Sequence, residues 1–186
     1  MTVAKTAIHG VLELGPQVFG DDRGWFMESY SQRKLHGFGV HTAFVQDNQS
    51  YTAKERTLRG LHCQLEPHAQ AKLVRVLRGA MLDVVVDVRE GSPSFMRWMS
   101  VELSAENKKQ LFIPKGCLHG FVTLTDDVEV FYKCDEFYSP EHERCVRWND
   151  PGLGICWNVK SPLLSQKDAS APDYSSSDVR FVFEGV

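Results

Sequence analysis

Short segments that alternate apolar and polar residues dominate the middle of the chain. Five of these segments predict β-strands, at residues 72–78, 81–88, 97–103, 119–124 and 128–134. Turn-forming residues separate the segments at short intervals, at residues 78–80, 91–93, 114–116 and 125–127. Many short strands joined by turns are typical of an all-β sandwich, jelly roll or barrel.

Helical signals are few in this sequence. The clearest lies at residues 31–37, where Ser31 is placed to cap a short helix and Gly37 to end it. Near the C-terminus, the small and polar residues 169–177 predict a segment that lies loosely on the surface. It precedes a last apolar patch at residues 179–183.

The composition excludes several classes of protein. With 42% hydrophobic and 24% charged residues, the chain of 186 residues is close to the globular average. No linker or repeat divides it, so we expect one domain, residues 1–186. The net charge of −3 combines scattered charges of both signs, which predicts no binding of nucleic acid.

Two further features bear on the cellular location. No apolar stretch reaches the ~18 to 20 residues that span a bilayer, and the N-terminus lacks an apolar signal core, so we expect no membrane partner. The five cysteines are odd in number and include no C-x-x-C pair, which argues against a disulfide framework. We therefore expect reduced thiols and a cytoplasmic protein.

Polar side chains stand on several otherwise apolar strand faces. Residues two apart share a face of a strand, so Lys72 points with two valines and Tyr132 with two others. His119 shares its face with a phenylalanine, and the same alternation makes His62 point away from Arg59. One such residue is usually a satisfied core residue, but several converging on one interior favour a functional site.

A set of ordered motifs runs from Phe19 to about Asp168. In chain order they are Phe19-x-Asp21-x-Arg23-Gly24-x-Phe26-x-Glu28, Phe44-Val45-Gln46-Asp47-Asn48, Leu58-Arg59-Gly60-Leu61-His62, Gln70-x-Lys72-Leu73-Val74, Ile113-Pro114-x-Gly116-x-x-His119-Gly120-Phe121, Tyr132-Lys133 and Pro140-x-x-Glu143-Arg144. Together they resemble the dTDP-4-dehydrorhamnose 3,5-epimerase family. The resemblance implies an all-β, cupin-type jelly roll with one or two short helices. It also implies a homodimer without cofactor or metal that epimerises dTDP-4-dehydro-6-deoxy-D-glucose at C3 and C5 to dTDP-4-dehydro-L-rhamnose.

Such a reaction needs two proton-transfer groups. Inverting a carbon next to a ketone means removing its proton to give an enolate and returning a proton to the opposite face. Imidazole exchanges protons near neutral pH, which suits His62 as the base. By resemblance, Asp168 orients His62, and Tyr132 is the opposing proton donor. Lys72 then stabilises the enolate oxygen.

A second group of residues indicates recognition of the nucleotide. The guanidinium groups of Arg23 and Arg59 suit a diphosphate, while Gln46 and Asn48 can hydrogen-bond a thymine or ribose edge. By resemblance, Tyr138 stacks on the thymine ring. The full set of substrate-binding residues implied by the resemblance is Arg23, Glu28, Gln46, Asp47, Asn48, Arg59, His119, Tyr138, Glu143 and Lys167.

A metal site is the main chemical alternative. Many jelly rolls of this class bind a metal through a His-x-His motif, but here the second position is Gln64, and Lys72 occupies a strand where an acidic ligand is expected. We therefore expect no metal, although His62, His68 and His119 leave a three-histidine site open.

Two functional alternatives also stay open. Relatives in antibiotic deoxysugar pathways share the same proton-transfer residues yet invert only C3 or only C5. A non-catalytic sugar-nucleotide-binding module needs Arg23, Arg59 and Tyr138. It has no need to combine His62, Tyr132 and Asp168, all of which this chain has. Cys63 and Gln49 depart from residues frequent in the family, and they leave the details of substrate recognition open.

Overall fold

The computed structural model describes residues 1–185, so Val186, the last residue of the predicted domain, lies outside the described residues. The first eight strands are β1 (Thr2–Lys5), β2 (Leu12–Gly15), β3 (Val18–Asp21), β4 (Gly24–Met27), β5 (Gln46–Thr52), β6 (Leu58–Gln64), β7 (Lys72–Arg78) and β8 (Ala80–Asp87). The others are β9 (Arg89–Glu90), β10 (Trp98–Ser104), β11 (Gln110–Ile113), β12 (Cys117–Thr123), β13 (Val128–Cys134), β14 (Glu143–Cys145) and β15 (Phe181–Val182). Two short helices complete the structure, α1 (Gln32–Gly37) and α2 (Gln166–Ala169), with a 3-10 turn at Tyr174–Ser176.

Two antiparallel sheets form the body of the molecule. One has six strands in the order β1-β2-β11-β7-β13-β5, and the other has five in the order β10-β8-β12-β6-β14. Strands that are distant in sequence lie side by side in each sheet, as in a double-sheet jelly roll. The predicted all-β, cupin-type jelly roll with short helices is therefore confirmed. No helix among residues 1–185 is long and apolar enough to span a membrane.

The main core lies between the two sheets. Val74 and Val76 of β7, with Val128 and Val130 of β13, pack against side chains of β8, β10 and β12, including Val85. These β-branched residues fit a pleated, buried surface, and burying each one fully contributes about 1.5–3 kcal/mol. The predicted faces of Lys72 and Tyr132 are confirmed, because both residues follow the inward parity of these valines.

Each sheet also has a covered outer face. On the six-stranded sheet, Leu73 and Phe112 pack against Leu35 of α1. On the five-stranded sheet, Leu118 and Val122 pack under the segment that contains Trp157. Both outer faces are therefore covered, and the cavity described below lies between the sheets.

Strand β6 carries a bulge that the alternation pattern does not predict. His62 pairs with His119 of β12, but Arg59 pairs with Phe121, so three residue steps on β6 face two on β12. Gly60 sits in the bulge with φ +113°, and a Cβ there would lie 2.7 Å from the Cα of Gly120. The extra residue turns Arg59 and His62 toward the same cavity, so the prediction that they point apart was wrong.

The C-terminal segment is held in place, which corrects the prediction of a loose surface tail. Ala171 is buried, and the amide of Tyr174 donates to Oδ2 of Asp150 at 2.6 Å. Strand β15 then pairs in parallel with β9. The carbonyl of Pro172 also accepts from the amide of Arg147 at 2.8 Å, so backbone hydrogen bonds make this segment part of the fold.

Candidate active site

A cavity of about 410 Å³ lies between the two sheets. Residues predicted for catalysis or binding line it from five elements: Arg59 and His62 of β6, Lys72 of β7, His119 of β12, Tyr132 of β13, and Lys167 and Asp168 of α2. A second cavity of about 240 Å³ shares His62, Lys72 and Tyr132 with the first. The two cavities together form one candidate active site.

His62 and Asp168 form a close pair in the wall of the first cavity. His62 Nε2 lies 2.7 Å from Asp168 Oδ1, and Asp168 is only 3% exposed. Burial would raise the pKa of Asp168, but the hydrogen bond and the charge of His62 outweigh it, so the pKa is held below its usual range. The carboxylate thus stays charged and holds a proton on Nε2, which leaves Nδ1 free to accept one.

Ser165 fixes Asp168 from behind. Its hydroxyl donates to Asp168 Oδ2 at 2.8 Å and accepts from the amide of Asp168 at 3.1 Å, which also caps α2. Neither α2 nor this contact was predicted. The Ser-x-x-Asp spacing at residues 165–168 is the sequence signal for such a cap.

Tyr132 faces the pair from the other sheet. It lies on β13 of the six-stranded sheet, whereas His62 lies on β6 of the five-stranded sheet, and both line the two cavities. Burial raises the pKa of Tyr132, so the phenol keeps its proton at neutral pH. The Lys72 ammonium lies 5.8 Å from the centre of the Tyr132 ring. The site thus has an acceptor on one sheet and a donor on the other, with a cation beside the donor on the neighbouring strand β7.

His119 has its own buried carboxylate partner. Its Nε2 lies 2.5 Å from Oδ1 of Asp83, which is fully buried in β8. Because His119 pairs directly with His62 across the β6–β12 ladder, two histidine–aspartate pairs stand side by side. Asp83 was not predicted as part of the site, although an acidic residue within an apolar strand signals that its carboxylate has a buried hydrogen-bond or charge partner.

Five predicted binding residues are linked around the second cavity. Gln46 donates to Asn48 Oδ1 at 3.0 Å and accepts from the amide of Tyr138 at 3.0 Å. The Tyr138 hydroxyl donates to Glu143 Oε2 at 2.9 Å, and the same oxygen lies 2.6 Å from Lys167 Nζ. The ring of Tyr138 is 54% exposed, so one face is open to a ligand.

Three predicted binding residues lie away from these cavities in the single chain. Asp47 points to the opposite face of β5 from its neighbours and pairs with Lys133 at 2.8 Å. Arg23 is on the exposed β3–β4 hairpin beside Asp21, and Glu28 follows the hairpin. None of the three lines either cavity.

The positions that suggested a metal have other partners. The Gln64 amide nitrogen donates to the carbonyls of His68 and Phe137, and its oxygen accepts from the amide of Ser139. The imidazole of His68 lies against His142, with ring centroids 4.5 Å apart, and does not line the first cavity. The three-histidine arrangement is therefore not assembled in the described part of the chain.

The fold and site define a cupin-type protein whose two sheets present a histidine–aspartate pair and a tyrosine to one cavity. Residues 5–176 match the family model for dTDP-4-dehydrorhamnose 3,5-epimerase, and the chain belongs to this family. A dTDP-4-dehydrorhamnose 3,5-epimerase from Shigella flexneri is 50% identical over 179 residues, covering 96% of this chain and 98% of the relative.

Solved structures agree with this family membership. An epimerase of the same name from Bacillus anthracis, with TDP and pyrophosphate bound, is 49% identical with a TM-score of 0.90, covering 92% of this chain and 98% of its own. An epimerase from Legionella pneumophila in complex with dTDP-4-keto-L-rhamnose is 39% identical. Its TM-score is 0.94, and the alignment covers 99% of each chain.

Proposed function

We propose that this chain epimerises dTDP-4-dehydro-6-deoxy-D-glucose at C3 and C5, giving dTDP-4-dehydro-L-rhamnose. The observation that carries the proposal is the pair of His62 and Asp168 opposite Tyr132 in one cavity. The identity of about half the residues with a curated 3,5-epimerase over nearly the whole chain supports the same reaction.

The chemistry of the substrate fits these groups. C3 and C5 both neighbour the C4 ketone, so the same base can remove a proton from either carbon to give an enolate. Nδ1 of His62 accepts the proton, and Asp168 stabilises the imidazolium that forms. Tyr132 then returns a proton to the opposite face. Before the second inversion, the phenolate regains a proton from solvent and the imidazolium of His62 releases one to solvent.

Lys72 supplies the electrostatic part of catalysis. Its ammonium reaches the same cavity and stands close to Tyr132, where it can stabilise negative charge on the enolate oxygen at C4. A donor positioned at developing negative charge is worth about 10²- to 10³-fold in rate. No metal is required for this role, and we propose that the enzyme works without metal or cofactor.

The nucleotide binds to residues around the second cavity, and its diphosphate contacts Arg59 in the adjoining first cavity. Arg59 makes hydrogen bonds to Thr52 Oγ1 at 3.1 Å and to the carbonyl of Tyr51 at 3.3 Å, which orient its guanidinium for a diphosphate. Gln46 and Asn48 offer amide groups to thymine, and the open ring of Tyr138 can stack on it, for about 1–3 kcal/mol. These contacts bind the part of the substrate that does not react.

We also propose a cytoplasmic homodimer in which each chain is one domain. The β3–β4 hairpin exposes three large aromatic side chains, Phe19, Trp25 and Phe26, at 56%, 58% and 70%. Packing this hairpin on a second copy would cover these side chains and could bring Arg23 to the partner's cavity. The five free cysteines support a reducing cytoplasm.

Counting deuterium tests the reaction directly. The purified protein is incubated with dTDP-4-dehydro-6-deoxy-D-glucose in deuterated water, and the sugar is analysed by mass. The proposal predicts two incorporated deuterons. One deuteron would identify a single-site epimerase, and none would identify a binding module.

A further inference from the structure

Cys145 is not used in the proposed reaction, yet it contacts the catalytic pair. It ends β14 and pairs directly with His62 of β6. Its Sγ lies 3.4 Å from Asp168 Oδ1, the same oxygen that is 2.7 Å from His62 Nε2. The three possible ligand atoms, one from each residue, all lie within 4.8 Å of one another.

We propose that His62, Cys145 and Asp168 form a binding site for Zn²⁺ and that zinc bound there inhibits the enzyme. Imidazole nitrogen, thiolate sulfur and carboxylate oxygen are the donors that zinc takes in proteins. The soft thiolate selects zinc over magnesium or calcium. The inhibition rests on the proposed function, whereas the binding of the metal does not.

Two of the three distances between ligand atoms are close to those of a zinc site, and the third, between Cys145 Sγ and His62 Nε2, is at most 4.8 Å. Bonds of about 2.0–2.3 Å in a tetrahedral arrangement separate neighbouring ligand atoms by roughly 3.3–3.7 Å. The contact between Cys145 and Asp168 already has this length. The hydrogen bond between His62 and Asp168 has to open by about half an ångström, as the metal replaces the proton between them.

The surroundings supply the second requirement of a metal site, which is fixed and accessible ligands. The hydroxyl of Ser165 donates to Oδ2 of Asp168, the carboxylate oxygen that does not contact His62 or Cys145. Hydrogen bonds of this kind orient the ligand residues of zinc sites. The nearby cation Lys167 is paired with Glu143, which offsets its repulsion of a metal. Because His62 and Asp168 line the first cavity, a fourth coordination position of the zinc can face this cavity and take a water molecule.

Zinc binding would prevent His62 from acting as the base, because one proton leaves Cys145 and another moves within the imidazole of His62. Bonds form from zinc to Nε2, Sγ and Oδ1, the S–H bond of Cys145 breaks, and its proton goes to solvent. The proton of Nε2 moves to Nδ1 of His62, so the imidazole stays neutral and nothing is oxidised or reduced. Nδ1 can then no longer accept a proton from the substrate.

Inhibition of the metal-free enzyme by added zinc tests the site in the working protein. Each variant is normalised to its own rate without zinc. We expect Cys145→Ala to need at least about 10- to 100-fold more zinc for half-inhibition, the range that even second-layer changes produce. Cys156→Ser, which removes an exposed thiol elsewhere, should match the wild type, and a chelator should restore turnover. Equal sensitivity of Cys145→Ala and wild type would overturn the proposal.

Cobalt(II) provides a readout that does not depend on activity. In the resting protein it should give a thiolate-to-cobalt charge-transfer band in the near ultraviolet and strong visible bands of tetrahedral cobalt. Both should persist in Cys156→Ser and be lost in Cys145→Ala. A cobalt spectrum in a protein without epimerase activity would refute only the proposed function. An active enzyme without the thiolate band would refute only the metal site.

Discussion

Asp168 shows how one buried residue sets the protonation of the site. Its pKa is lowered because the hydrogen bond and charge of His62 outweigh the cost of burial, so it remains a carboxylate throughout the neutral range. It therefore fixes which nitrogen of His62 carries the proton. The opposite shift at Tyr132, raised by burial, keeps the donor protonated over the same range.

Replacing Asp168 by asparagine should leave the fold intact and slow catalysis. The amide is neutral, so it cannot stabilise the imidazolium of His62, and we expect kcat to fall by about 10²- to 10⁴-fold. Steady-state kinetics checks this, with Asp178→Asn as the control, since Asp178 lies in an exposed ion pair with Arg144. An unchanged kcat in Asp168→Asn would exclude the proposed role.

A second buried carboxylate, Asp87, serves stability. It accepts from Arg89 Nε at 2.8 Å, from Ser92 Oγ at 2.5 Å and from Ser94 Oγ at 2.6 Å. Burial would raise the pKa of Asp87, but these hydrogen bonds outweigh it and lower the pKa. The stabilisation is therefore complete above the unfolded pKa of about 3.9 and is lost as pH falls through the lower folded value.

Chemical unfolding of Asp87→Asn checks this account. At neutral pH the variant should lose about 3–5 kcal/mol of unfolding free energy, because Arg89 is left buried without its charge partner. Its stability should also fall less than that of the wild type as pH drops below about 4. A parallel decline in both proteins would show that Asp87 does not carry the acid sensitivity.

At the scale of the element, local patterns predict single strands better than the way they meet. The predicted strands at 72–78 and 128–134 match β7 and β13 residue for residue, and the other three match within two residues. Alternation is a local property, so it fixes which residues share a face. The bulge in β6 depends on contacts across the fold, so the local pattern does not predict it. Helix α2 has a local cap signal, the Ser-x-x-Asp spacing at residues 165–168, but it is only four residues long and was not predicted.

The bulge makes Gly60 critical for the site. In Gly60→Ala, the added Cβ would lie 2.7 Å from the Cα of Gly120 in a backbone conformation that disfavours side chains. We expect a loss of at least about 1–3 kcal/mol of stability and a marked loss of activity, because Arg59 and His62 no longer face one cavity. Gly37→Ala, where an added Cβ meets nothing within 4 Å, is the matched control for thermal unfolding and turnover. Wild-type values for Gly60→Ala would contradict this role of the bulge.

At the scale of the whole molecule, some predicted substrate-binding residues lie outside the candidate site of their own chain. The resemblance assigns Arg23 and Glu28 to the substrate site, yet both lie away from the cavity that holds His62. A motif gives the order of residues along a chain. It does not say whether a site takes such a residue from its own chain or from the partner chain. The arrangement of the proposed dimer therefore has to be tested by experiment.

Mixing two inactive variants tests whether the hairpin completes the partner's site. If it does, Arg23→Ala and His62→Ala subunits together form mixed dimers with one intact site of two. After free exchange of subunits, about a quarter of wild-type sites should be intact. The single variants measured alone provide the baseline. No recovery after confirmed subunit exchange would mean that Arg23 does not act across the interface.

The proposed reaction assigns proton removal to His62 and proton return on the opposite face to Tyr132. Deuterium exchange in Tyr132→Phe separates these two roles. His62→Ala should lose exchange and inversion together, because no enolate forms, while Tyr174→Phe controls for loss of a phenol outside the cavity. In Tyr132→Phe, His62 can still remove a proton and return deuterium to the original face. If Tyr132 is the opposing acid, exchange survives in this variant while inversion falls by about 10²- to 10⁴-fold. Equal loss of both, or loss of neither, would contradict the assignment of Tyr132 as the opposing acid.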